Sequence, residues 1–142
     1  MKLSKVVERV IDLGRAVREY YEVEERRRHP HYPLIYPGEP ETPPPLEKQQ
    51  LRDFLASLEP EMVWQLLAIM DLGRELFGIE DLPSYYEELK NQPVGPEMAI
   101  SQMVEKAPLA DYLEDGITEL KKQKINIDKS PFPSVRKATR KG

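Results

Sequence analysis

Two histidines are the first candidates for chemistry. His29 and His31 flank Pro30 beside Tyr32, an arrangement that sets two imidazoles near one another. A folded metal site needs a third or fourth converging ligand, and the sequence offers no further histidine and no cysteine. No metal is expected there. Asp111, Glu114 and Asp115 are a second candidate, because residues three and four apart share a helix face. Acid and base roles need carboxyls in contrasting environments, which a solvated acidic face does not provide. The sequence has no glycine-rich phosphate loop, no GxSxG elbow and no HExxH, so neither a cofactor nor an enzyme is expected. Arg74 follows Gly73 late in an apolar segment, where a cation complements the C-terminal end of a helix dipole. Its expected partner is Asp71 or an acid near Tyr112. If a single side chain binds a ligand, Arg74 is the candidate, with Asp111 and Tyr112 beside it. Trp64 and Tyr112 lie within apolar helical periodicity and are expected in the core.

Charge is unevenly distributed. Residues 121–142 carry eight basic side chains (Lys121, Lys122, Lys124, Lys129, Arg136, Lys137, Arg140, Lys141) against one acid, Asp128. That end is +7 in a chain of net charge -4, so the rest is -11. Between Glu75 and Glu119, 11 acids face two bases. A basic end can dock on its own acidic body or be drawn to a polyanion. Phe132 is the one aromatic residue in that end, so stacking on bases would be weak.

The elements that must position these residues are helices. From Leu3 to Tyr20 the apolar residues recur at alternating steps of three and four, which predicts an amphipathic helix to about Arg28, with Ser4 as its N-cap. Residues 29–45 hold seven of the 14 prolines, so this stretch is expected to be extended. Its Leu34, Ile35 and Tyr36 are too apolar for a purely solvated linker, and part of it is expected to lie along the helical body. Further helices are predicted at 47–58, 60–77, 83–91, 96–106 and 108–124, several starting near a proline. Ser84 is an alternative cap for the third of these. The 60–77 helix is apolar on nearly every side and should be central. Gly116 weakens the last helix unless something packs against it. No segment alternates as a strand does, so the expected fold is all-α, with about six helices.

Four regions follow: an amphipathic helix (1–28), a proline-rich extended segment (29–45), a helical core (46–124) and a flexible basic tail (125–142). The 11-residue apolar run from Met62 to Leu72 is too short to span a bilayer. The N-terminus lacks the pattern of a secretion signal, and the chain lacks cysteine, so a cytoplasmic address is expected.

Two segments carry a resemblance: Leu58 to Arg74, ending in Leu72-Gly73-Arg74, and Ala107 to Ile117, containing Pro108-Leu109-Ala110-Asp111-Tyr112 and Gly116. Over roughly residues 51–120 the chain resembles the bacterial domain of unknown function 3775. It departs from the family pattern at Asp71 and at Glu75-Leu76. The resemblance implies a helical domain of bacterial or phage origin and no particular chemistry.

The reading that combines these features is a small non-catalytic adaptor or regulator that binds a protein partner. An extended segment or helix would dock in a groove, anchored by apolar side chains and steered by charge. Phe132 and the Leu34-Ile35-Tyr36 cluster are the expected anchors. A homodimer through the first helix is a further possibility, since the long proline segment could act as a hinge. The alternative is a nucleic-acid-associated protein using the basic tail, and an uncharacterised enzyme ranks third.

Overall fold

The computed structural model describes residues 2–28, 45–106, 108–129 and 132–133, excepting the side chains of Glu25 and Arg28. Six α-helices account for most of them: α1 (Leu3–Arg28), α2 (Leu46–Ala56), α3 (Pro60–Gly73), α4 (Leu82–Lys90), α5 (Pro96–Glu105) and α6 (Leu109–Lys122). A single 3-10 turn, Ile79–Asp81, leads into α4. There is no strand among the described residues, and the fold is all-α.

Proline sets several of the starts. Pro60, Pro83 and Pro96 occupy the first two positions of α3, α4 and α5, where a missing N–H costs nothing. Ser84 does not cap α4; its hydroxyl donates to the Asp81 carbonyl at 3.0 Å. The expected cap of α1 is also different. Ser4 lies inside the first turn, and its N–H and hydroxyl both donate to the Asp128 carboxylate, at 2.9 and 2.7 Å. The first turn of α1 contains no acid of its own, so an acid 124 residues away complements its dipole.

Helix α3 is the centre. From Val63 to Gly73 every residue except Gln65 is buried, as an all-round apolar helix requires. It packs against α4, α5 and α6. Helix α1 packs against α2 and α6, and α2 against α5, so α1, α6, α3, α5 and α2 form a closed circuit of packed pairs. The α1 stripe Leu3, Val6, Val7, Val10, Ile11 and Leu13 is buried in this circuit. That stripe is therefore used within the chain.

The closest crossing is that of α3 with α6. A Cβ on Gly73 would lie 1.9 Å from the Tyr112 carbonyl oxygen, and one on Gly116 would lie 2.2 Å from that of Ile69. Each glycine admits the backbone of the other helix. Gly116, locally weak in α6, is what allows the contact.

Three helix ends depart from the sequence reading, the first being that of α2, which stops at Ala56, two residues before the predicted Leu58. Helix α3 stops at Gly73, before the predicted Phe77, because Glu75 adopts φ 63° and the Leu76 and Glu75 amides close on the carbonyls of Asp71 and Leu72. Lys124, with φ 58°, ends α6 in the same way, and the Ile125 amide bonds the Leu120 carbonyl. The chain then folds back. Ile125 and Ile127 pack against the core, and Phe132 is buried with its carbonyl accepting from the Gln65 side chain. The described part of the expected flexible tail is thus packed on the body, held by apolar burial and the Asp128 cap. Residues 134–142 lie outside the described residues.

Candidate functional site

The C-terminal end of α3 brings together the most unusual polar residues. Among the described residues Asp71 is the one charged residue in the buried core, 4% exposed. Its carboxylate accepts from the Tyr85 hydroxyl at 2.6 Å and faces the Arg74 guanidinium at 3.3 Å. Arg74 in turn lies 5.8 Å from the centre of the Tyr112 ring, and Tyr85 stacks on Phe77 with centroids 4.1 Å apart. Burial pushes the Asp71 carboxyl above its ordinary value; the Tyr85 hydrogen bond and the Arg74 charge pull it only part of the way back. Burial and the bond to Asp71 hold the Tyr85 hydroxyl well above the usual phenol range.

The structure thus places Arg74 with Tyr112, and gives Arg74 the Asp71 partner that helix-end electrostatics predict. Asp111 is elsewhere: it pairs with Arg18 of α1 at 2.6 Å. Glu114 pairs with Arg15, and Asp115 is exposed. These three candidate acids of α6 are divided between two ion pairs and solvent, which is not the contrasting pair that acid-base catalysis needs. Phe132, expected as an exposed anchor, is covered by its own core. Lys121, Lys122, Lys124 and Lys129 are exposed, with Lys122 near Glu119 at 3.3 Å. His29, His31, Leu34, Ile35, Tyr36, Arg136, Lys137, Arg140 and Lys141 lie outside the described residues. Among the described residues no group of three or more histidines and carboxylates is placed to hold a metal ion. Nor is any helix among them long and apolar enough to cross a membrane.

Sequence reasoning missed a groove of about 830 Å³ beneath the second half of α1. Val17 and Tyr21 form its roof, and Leu51, Val104 and Leu109 its apolar floor. Arg18, Arg26, Lys48 and Lys106 line it, against the acids Glu22 and Glu105. Lys48 is paired with Glu105 at 3.2 Å, whereas Arg26 and Lys106 make no ion pair among the described residues. Residues of four helices, α1, α2, α5 and α6, meet here, so no local pattern announces it. The one available signal was that α1 outruns its apolar stripe, which is fully buried only as far as Leu13.

The residues that carried the family resemblance now have physical roles. Gly73 and Gly116 form the α3–α6 crossing, and Arg74 and Tyr112 close its edge. No curated protein and no solved structure matches the chain. A family model does match residues 48–121, which span α2 to α6 and just over half of the sequence, and the chain belongs to that family, described as Protein of unknown function (DUF3775).

Proposed function

We propose that this protein is a small non-catalytic adaptor or regulator, of bacterial origin, that binds a protein partner in the groove beneath α1. The observation that carries this reading is the groove itself: an apolar floor bordered by four cationic side chains, on a chain whose net charge is -4. The partner it suits is an extended or helical segment with apolar side chains and acidic neighbours. Apolar burial would supply affinity, and Arg26 and Lys106 would supply steering and register. The Leu34-Ile35-Tyr36 cluster remains a proposed second set of anchors.

The test is affinity purification of the full-length protein from a host lysate with and without nuclease, followed by binding measurements on the purified partner. Support requires a nuclease-resistant partner whose acidic segment binds directly, with affinity falling at least tenfold for R26E/K106E. Both substituted residues line the groove and neither belongs to the buried core, Arg26 being exposed and Lys106 half-buried. Binding unaffected by the charge reversal sinks the groove assignment. Recovery of nuclease-sensitive material alone, lost when residues 134–142 are removed, replaces it with the nucleic-acid reading.

A further inference from the structure

A second, smaller cleft lies beside Asp71, between α3, α4 and α5. Its volume is about 150 Å³, enough for a small group and no more. Trp64 and Tyr85 contribute aromatic surface, and Asp71 is the one charged lining residue among those described. Arg74 is absent from the lining, so the ion pair that partly compensates Asp71 is made from outside the cleft. A carboxylate has about four acceptor positions, and Tyr85 and Arg74 use two of them. Trp64, 7% exposed, lines the cleft. The mouth is formed by Val94 and Met98, 37% and 51% exposed, and by the amides of Gln92 and Gln102. Residues 74–106, which include α4, α5 and this mouth, carry seven acids against three bases, of which Arg74 and Lys106 act on Asp71.

We infer that this cleft binds an alkylammonium group, supplied either by a free primary amine or by a lysine side chain of a partner. The alkyl stem lies between Met98, Val94 and the Trp64 ring, and the ammonium donates to the spare acceptor positions of Asp71. Aromatic faces attract a cation, and the acidic surroundings raise its local concentration. An anionic group would meet the buried carboxylate and is rejected. A neutral alcohol of the same length fills the cleft but forgoes the charge interaction. This inference is independent of the groove beneath α1, because the two cavities share no lining residue.

Trp64 is the sole tryptophan, so its fluorescence reports on the cleft directly. The experiment titrates the full-length protein with n-butylammonium, n-butanol and butyrate at constant ionic strength. A ligand of this size binds with Kd on the order of 1 mM. The expected result is a saturable Trp64 response to n-butylammonium that butanol and butyrate do not reproduce. It should weaken at least tenfold in Asp71→Asn and in Gln102→Lys. The second variant adds a cation at an exposed position of the mouth, so it keeps the test decisive if Asp71→Asn fails to fold. The peptide acetyl-Gly-Gly-Lys-Gly-Gly-amide separates the two sources. Tighter binding than butylammonium, lost when norleucine replaces lysine, assigns a partner's lysine, whereas tighter binding of the free amine assigns a small-molecule amine. No saturable response to either, an equal response to butanol, or a response unchanged in Gln102→Lys overturns the inference.

Discussion

Tyr85 and Tyr86 are adjacent in α4, yet their hydroxyls are in opposite situations. That of Tyr85 satisfies the buried Asp71 carboxylate, whereas that of Tyr86 is buried without a hydrogen bond of full geometry, and burial and the nearby Glu61 carboxylate hold it above the usual phenol range. Removing a hydroxyl that serves a buried charge costs about 1–3 kcal/mol, whereas removing an unsatisfied one is close to neutral. Tyr85→Phe should therefore lower stability by about that amount, and Tyr86→Phe should leave it unchanged or raise it slightly. Urea unfolding with equal m-values checks both. Two aspartates, Asp71 and Asp128 at the start of α1, also differ in the sign of their pH dependence. Asp128 is held below the ordinary carboxylate value by the Ser4 hydrogen bonds. Its contribution is complete above that ordinary value, near pH 3.9, and is lost as pH falls through the depressed one. Asp71 is raised, so the native state binds its proton more readily than the unfolded chain does. Its linkage favours folding below the ordinary value and is lost as pH rises through the raised one. Relative to Asp128→Asn, the wild type should lose its advantage on acidification; relative to Asp71→Asn, it should gain. Denaturation midpoints from pH 7 to pH 3 read the two slopes directly.

At the scale of elements, the α3–α6 crossing is the contact least able to relax. The nearest atom a new methyl would meet at Gly73 and at Gly116 is a backbone carbonyl oxygen, which cannot move aside by changing rotamer. Gly73→Ala and Gly116→Ala are each expected to cost about 3 kcal/mol, in spite of the roughly 1 kcal/mol by which alanine favours a helix over glycine. Gly14→Ala is the matched control. Its Cβ would have ordinary contacts, the nearest at 3.6 Å, so the propensity gain should appear as stabilisation of up to about 1 kcal/mol. Thermal denaturation of the three variants side by side tests the contrast. The crossing also shows what the sequence discloses about the fold. Apolar spacing and proline positions reveal the six helices because both act within a few residues. The need for a partner opposite Gly116 was legible, but its identity was not, since it comes from a different helix. The helix ends were misread where Glu75 and Lys124 adopt positive φ, a conformation that local sequence assigns to glycine. Of the site, the pairing of Arg74 with Asp71 was visible in a spacing of three. The cleft beside Asp71 and the groove beneath α1 were not, because each is walled by side chains from at least three elements.

At the scale of the whole molecule, the position of Phe132 changes where the body ends. Sequence placed the boundary after Lys124, but α1 and α3 both hold residues beyond it: Ser4 bonds Asp128, and Gln65 bonds the Phe132 carbonyl. A chain shortened to residues 1–124 would expose the surface under Phe132, Ile125 and Ile127 and leave the first turn of α1 without its acidic partner. Burying one large apolar side chain contributes about 1.5–3 kcal/mol, and a helix cap about 1 kcal/mol. Together with partial burial of the two isoleucines, the loss should reach about 3–5 kcal/mol, or roughly 10 °C in Tm for a chain of this length. A chain shortened to residues 1–133 keeps all of these contacts while losing Arg136, Lys137, Arg140 and Lys141. It should melt within about 2 °C of full length. The pair of truncations therefore separates two roles that the basic end combines. Stability should be lost only with residues 125–133, and any salt-dependent attraction to a polyanion only with residues 134–142. Equal melting of the 1–124 and 1–133 chains would show instead that the body closes at α6 and that the packed return segment adds nothing to its stability.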